Sequence, residues 1–476
     1  MTLKTTHIGI AVGIVIVAIV LGLYIYYHYS TLLEMKLPKK VENVTGIPEL
    51  KVLWTSPELI PKSWLIEHGI YDKAWSWRTF VRGQVTISPN GKLIAVTTRK
   101  GEIYVFNDNG KIVRKLTFTL GEIPYRVVFS PNGKYLVIGL ISREGKLLVY
   151  DVNTWKLLFE YKASNDLLGL SNASEATIIK EPWYGNRIMY VTFDMEGRMY
   201  ISISQLIIDS KKQRPIYKKI SIDLFEIYPE LKKRYPNLTR YVTSYWTLMT
   251  VSKIIAIDMR TWKILWKWPK DDYAYISIPI LDVDDNGKYL ALGTWMGYYL
   301  KDPKKWHGGT VFVLNASNGE LLYRWDILPR IPVFNRTSIY NGIDLSSDGK
   351  YLVVAPSDGR IFVIDNERSA RLHRSVFLWS RTFTNPILAN ILLIPKKKGG
   401  EFTVKSTYIY SYSGLVGIVK DRVITYTSAT YSAYWSPRYV RKPLIQHPNQ
   451  TKLFIFDLKT GKLLFIDKFF GIPRYG

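Results

Sequence analysis

A six-residue turn recurs along this chain and confines its fold more tightly than any other feature. The copies are Ser88-Pro89-Asn90-Gly91-Lys92-Leu93, Ser130-Pro131-Asn132-Gly133-Lys134-Tyr135, Asp284-Asp285-Asn286-Gly287-Lys288-Tyr289 and Ser346-Ser347-Asp348-Gly349-Lys350-Tyr351. A weaker copy is Asp194-Met195-Glu196-Gly197-Arg198-Met199. Asn-Gly and Asp-Gly supply the positive φ angles that tight hairpins need, and each turn lies between two short apolar runs of strand character. A second hairpin follows most of the turns: residues 147–151 with 155–159, 254–258 with 262–266, 311–315 with 320–323, and 453–457 with 462–465. Two hairpins make four antiparallel strands, so the repeating unit is a small four-stranded sheet.

The turn glycines lie 42, 64, 90 and 62 residues apart. A four-stranded propeller blade takes roughly 40–50 residues. The interval of 42 reads as one bare blade, 64 and 62 as blades with an insertion, and 90 as two blades with one degenerate turn. The turn together with the strand–Asp–x–x–Thr–Trp/Gly–Lys hairpin resembles the WD40-like and quinoprotein-like (PQQ, YVTN) β-propeller repeats over residues 80–469. The Gly-His dipeptide of true WD40 blades is absent and Trp-Asp occurs once, at Trp325-Asp326, and not blade by blade, which favours the looser quinoprotein-like group. The expected fold is all-β, a seven-bladed propeller with eight blades as the alternative. Blades are expected to begin near Phe80, Gly121, Ala176, Ile227, Asp271, Pro329 and Trp379, with residues 379–450 long enough for an eighth.

Residues 8–27 carry no charge and are almost wholly apolar. Twenty residues at about 1.5 Å each span the roughly 30 Å hydrocarbon core of a bilayer as a helix. The stretch is longer than a signal-peptide core and no small-x-small cleavage site follows it, so an uncleaved anchor is expected. This divides the chain into a short cytoplasmic terminus (1–7), a transmembrane helix (8–27), a juxtamembrane tether and pre-propeller segment (28–79) and the propeller (80–476). Within the tether, residues 51–55 read as a strand joining the ring, and the Trp-rich stretch 64–77 as a plug on one face.

Composition narrows the chemistry. There is no Cys, which removes disulfides, thiolate metal sites and Cys nucleophiles, and six His leave few general bases. The net charge is +26. The basic runs around Lys211, Lys218, Lys232, Lys304 and Lys396 would suit a polyanion, but read first as solvated insertion loops. Asp282-Val283-Asp284-Asp285 resembles a calcium loop but aligns with the other hairpin turns and lacks the distant Glu and flanking helices. Trp306-His307-Gly308-Gly309 is the most site-like histidine setting. The resemblance also implies, as an alternative, a PQQ-type dehydrogenase with a ring-centre site of acids, Arg and calcium.

No catalytic, cofactor or metal residues are assigned from the sequence. The expected function is a non-catalytic protein-interaction or scaffold module held at the membrane by its N-terminal helix, with a protein partner rather than nucleic acid or a small-molecule substrate. A polyanion- or polysaccharide-binding propeller is a further alternative. The insertions 153–194, 209–252, 298–310 and 380–457 are the expected partner surface. Six Asn-x-Ser/Thr sequons, at Asn43, Asn172, Asn237, Asn315, Asn335 and Asn449, all follow the apolar run. They are glycosylation candidates and point to a propeller outside the cytoplasm.

Overall fold

The computed structural model describes residues 54–59, 63, 67 and 84–468, apart from breaks at 99, 228, 235, 238, 240–241, 276, 296, 299–305, 308, 329–336, 340–341, 386, 396–401, 433–446 and 450–451. Residues 52–476 form one body. The apolar run 8–27, the plug expected at 64–77 (Glu67 apart) and the sequons at Asn43 and Asn335 lie outside the described residues. Among the described residues, no helix is long and apolar enough to cross a membrane.

The recurring turn does what its composition predicts. In the Ser copies the hydroxyl accepts the backbone N–H five residues on (Leu93, Tyr135 and Tyr351, at 2.9, 3.0 and 3.0 Å) and donates to the Asn or Asp side chain two residues on, at 2.7 Å each time. In the Asp copies the carboxylate accepts the returning strand directly: Asp284 takes the N–H of Lys288 and Tyr289, and Asp194 that of Arg198. The glycine of each turn has positive φ, from 60° at Gly287 to 87° at Gly197.

Around these turns the chain builds antiparallel sheets, and six four-stranded units are present among the described residues. The first is Val85–Ile87, Leu93–Thr98, Glu102–Asn107 and Ile112–Thr117; the second is Ile123–Phe129, Tyr135–Ser142, Lys146–Asp151 and Leu157–Lys162. The third is Asn186–Phe193, Arg198–Leu206, Thr250–Asp258 and Lys263–Trp268. The fourth is Ser277–Val283, Tyr289–Trp295, Thr310–Asn315 and Leu321–Asp326. The fifth is Ile343–Leu345, Tyr351–Val354, Arg360–Asp365 and Phe377–Thr382. The sixth uses the end of Phe402–Val419, then Arg422–Ser432, Lys452–Asp457 and Leu463–Lys468. The second and third units fuse where Ile141 and Ser142 pair with Arg187 and Asn186.

Successive first strands lie side by side from the first unit to the sixth and are the inner strands of the arrangement. There is no single core. Five apolar clusters each fill the space between one unit and the next, such as Ala95, Ile103 and Val105 against Val127 and Leu136, or Ile361 and Val363 against Val423 and Phe454. Each buried Val, Leu or Ile contributes about 1.5–3 kcal/mol, so a sheet too small to fold alone is stabilised on both faces by its neighbours. This architecture is consistent with a WD40-like β-propeller.

Two expectations are corrected. Ile227 begins no blade: it ends a short helix, Leu224–Ile227, and the 90-residue interval is one unit whose second and third strands are separated by residues 207–249. Nor does Trp379 open a blade; it sits in the outer strand of the fifth unit, and the stretch after it supplies the inner strands of the sixth with a long hairpin extension, Ile387–Pro395 against Phe402–Val419. The turn-glycine spacing registers first and second strands only, so it cannot tell a long second-to-third connection from an extra blade.

At the outer rim, an aromatic ring fills the gap between one unit's outer strand and the next unit's outer hairpin turn. Trp266 lies over Gly319 and donates its indole N–H to the Ala316 carbonyl at 3.0 Å; Trp379 lies over Gly461 and donates to Leu458 at 2.7 Å. Trp54 makes the same contact with Gly110 and Asp108, at 3.1 Å. Trp54 thus takes the place that an outer-strand tryptophan takes elsewhere; Trp54 and Thr55 are not in a strand, and the rest of the strand expected at 51–55 lies outside the described residues. Between the second and third units the direction reverses. The turn position is itself tryptophan: Trp262, at φ 57°, stacks on Phe159 of the preceding unit with centroids 5.5 Å apart.

Candidate functional site

The inner strands are edge strands. One side of each is laddered to the second strand, and the backbone groups on the other side need separate partners. The sequence meets that need with polar side chains, four of them just before a recurring turn and one, Ser202, on the second strand of the third unit. Gln84 accepts the N–H of Val127 at 3.2 Å, Asp282 that of Leu345 at 2.6 Å, and Asp344 that of Ile418 at 2.6 Å. Arg126 works in the opposite sense and donates to the Met189 carbonyl at 2.5 Å, while Ser202 donates to Ile278 at 2.6 Å. All five junctions between successive units are therefore crossed by a side-chain-to-backbone bond.

Three of these residues, Arg126, Asp282 and Asp344, form a polar constellation with their neighbours. The Arg126 guanidinium lies 4.7 Å from the centre of the Tyr190 ring and 5.3 Å from that of Tyr125. Tyr190 is held above the usual phenol range, first by burial and then by the negative potential of Asp282 and Asp344, with Arg126 opposing. The Asp282 and Asp344 carboxylates lie near one another, and each shifts the other's protonation. Burial pushes Asp344 up to about 6, and burial with the adjacent charge lifts Asp282 well above the carboxylate range. Two carboxylates close together in a poorly solvated place cannot both ionise without cost, so burial favours protonation of the pair.

Such a pair could hold a proton or a cation, so it was the natural place for the calcium and quinone that the sequence resemblance raised. The donor set does not fit. Each carboxylate already accepts an inner-strand N–H, burial favours the protonated form of both, and among the described residues no three His, Cys, Asp or Glu side chains converge to hold a metal. The constellation joins neighbouring units rather than presenting free groups to a substrate.

Strand direction decides where the loops go. In an antiparallel unit the first-to-second and third-to-fourth turns fall at one end, and the second-to-third connection and the link to the next unit at the other. The tight turns therefore gather at one end, where they bond to each other: Met195 N–H to Asp285 and Asp285 N–H to Ser347. The long connections 163–185, 207–249, 296–309, 327–342 and 383–414 all belong to the opposite end. There the described connections are packed together. Ser174 caps the helix Glu175–Lys180, and its own N–H donates to Gln213, whose amide donates to the Asn172 carbonyl. Exposed basic runs stand on this layer at Lys211 and Lys212, and at Lys232, Lys233 and Arg234 on the helix Pro229–Arg234.

The expected site residues separate by environment. Asn172 and Asn237 are exposed. Asn315 is half-buried, its carbonyl accepting the N–H and hydroxyl of Ser317 in an outer hairpin turn. The Asn449 amide donates to the Phe383 carbonyl at 2.6 Å and accepts from Lys452 at 3.1 Å. His307 lies in a two-residue pairing, Trp306–His307 with Gly297–Tyr298. His447 is buried between the Asn385 carbonyl and the Asn449 N–H, a structural placement. Asp284 is a turn residue, as the alignment of the repeats implies. Sequence reasoning passed over Asp344, Arg126 and Tyr190. A signal was available: two residues before each turn stand Thr86, Val128, Thr192, Asp282 and Asp344, so two acids occupy matching positions in adjacent units.

Residues 85–195 match the family model of the anaphase-promoting complex subunit 4 WD40 domain, a stretch that covers the first two units and the inner strand of the third. No curated protein matches the chain. Among solved structures, Sqt1 of Saccharomyces cerevisiae is similar at 14% identity over 82% of this chain and 87% of that one, with a TM-score of 0.39.

Proposed function

We infer that this chain is a WD40-like β-propeller that acts as a non-catalytic protein-interaction scaffold, engaging its partner through the end that carries the long connections. The observation that carries this reading is the asymmetry between the ends. One consists of short, mutually bonded turns of one design, and the other of long, individually different segments with exposed basic runs. Repeated turns have no means of singling out a partner, whereas long varied loops on a rigid frame do. In this reading residues 8–27 anchor the protein in a membrane as a single pass, the propeller lies outside the cytoplasm, and Asn172 and Asn237 are the sequons best placed to carry glycans.

The test is co-purification of the full chain from its native membrane with chemical cross-linking. Replacing Lys232, Lys233 and Arg234 by Glu should remove the cross-linked partner, while Lys92→Glu with Lys134→Glu at the turn end should not. A partner retained by the first variant and lost by the second would place the docking surface at the wrong end. If polysaccharide or another polyanion is recovered instead of protein, the basic loops serve the alternative reading. Protease protection in intact cells, with mass analysis after glycosidase treatment, tests the topology separately.

A further inference from the structure

Arg187 lies at the start of the inner strand of the third unit and is 4% exposed, yet its buried Nε has no hydrogen-bond partner among the described residues. Its guanidinium lies 5.6 Å from the centroid of the Trp183 ring. A buried, unpaired cation is among the costliest arrangements a protein can keep, and burial here pulls the guanidinium down to about 10.

The register of the sheet adds a second observation. Arg187 pairs with Ser204, and Ser204 pairs with Ser252, so the three side chains stand in one row on one face of three adjacent strands. Both serines are fully buried, and the hydroxyl of each is also without a hydrogen-bond partner. Three unsatisfied buried donors in consecutive register, with the Asn186 side-chain oxygen beside Arg187 also unbonded, are not independent defects. All three can donate. Arg126, on the neighbouring inner strand, likewise has no carboxylate partner among the described residues, and its guanidinium rests on Tyr125. Ser204 closes the second strand, Ser252 opens the third and Arg187 opens the first, so the row stands at the long-connection end.

We propose that Arg187, Ser204 and Ser252 form a binding site for a small tetrahedral oxyanion of the phosphate or sulfate class. The guanidinium supplies the charge and the fork of N–H donors, and the two hydroxyls donate from adjacent strands. Complete enclosure of the hydroxyls selects a free ion over the side chain of a docking protein. Donors spread over three strands suit an anion with oxygens in four directions better than a flat carboxylate. The site does not depend on the scaffold reading.

The purified full chain, dialysed into chloride, is titrated with inorganic phosphate, sulfate or acetate at constant ionic strength, following both the thermal midpoint and the heat of binding. Phosphate or sulfate should raise the midpoint saturably with one ion bound per chain, because a ligand that binds only the folded state stabilises it by mass action. Acetate should bind at least about tenfold more weakly. Joint replacement Ser204→Ala and Ser252→Ala should weaken the ion by about tenfold or more. Arg187→Met should abolish the saturable response; should that chain fail to fold, the serine pair carries the test. A midpoint that rises without saturation and equally in the serine variant is the general effect of excluded salts and overturns the proposal. Equal binding of acetate overturns the tetrahedral assignment.

Discussion

Asp282 Oδ2 accepts the backbone N–H of Leu345 at 2.6 Å, so the carboxylate at the end of one inner strand completes the free edge of the next. Asp344, beside Leu345, repeats the step toward Ile418. Because the two carboxylates also lie near each other, the join between units is a titrating one.

The pair makes stability depend on pH in a defined direction. Asp344 titrates near 6 in the fold against 3.8 for an ordinary aspartate. Between about pH 4 and pH 6 the native state therefore holds a proton that the unfolded chain has released, and stability falls as pH rises through that window. Asp344→Asn can still accept from Ile418 and can donate to Asp282. The variant should match the wild type near pH 4 and exceed it by roughly 1–3 kcal/mol at pH 7. Urea unfolding across pH 4–7 checks this; parallel curves for the two proteins would show that the pair does not take up a proton on folding.

At the rim, Gly319 has φ of 76°, and an added Cβ would lie 2.6 Å from the Trp266 ring. Gly319→Ala should cost roughly 2–4 kcal/mol from left-handed backbone strain and overpacking together. In a Trp266→Ala background only the backbone part, about 1–2 kcal/mol, should remain. A double-mutant cycle in denaturant measures the difference, and strict additivity would mean that the ring does not press on the turn.

Trp54 carries the same logic to the start of the propeller. It stacks against Phe106 at 5.5 Å and covers Gly110. Trp54→Ala should destabilise by about 2–3 kcal/mol and speed amide exchange first in strands Glu102–Asn107 and Ile112–Thr117. Unchanged exchange there would separate the segment around Trp54 from the fold.

The sequons should differ in what they tolerate. Asn449→Ala removes bonds to the Phe383 carbonyl and to Lys452 and should cost about 1–2 kcal/mol, whereas Asn172→Ala should stay within about 0.5 kcal/mol. Thermal unfolding of the unglycosylated proteins separates this structural effect from any glycan effect.

Much of the architecture was legible locally. A Ser or Asp that reaches the backbone five residues on, with Gly at positive φ between, needs no distant partner, so Ser88, Ser130, Asp284 and Ser346 announced their hairpins and the hairpins announced four-stranded units. The interval between Gly197 and Gly287 was misread because Asp209 to Met249 leave the sheet and return to it, and only strand pairing across the excursion, Leu206 with Thr250, shows one unit instead of two.

What the sequence determined alone was therefore everything that acts over a few residues: the turns, the hairpins, the alternation that buries both faces, and the exclusion of thiol chemistry. Tertiary structure decided what acts between units. Asp282 and Asp344 stand 62 residues apart and are raised above the ordinary aspartate range only because the fold buries them and brings them together; Arg187, Ser204 and Ser252 become one row only through register. The difference is physical. A turn is set by the φ angles and hydrogen bonds of its own residues, whereas a shifted carboxylate or an unpaired buried arginine is a property of the environment, and that environment is built by residues far away in the chain.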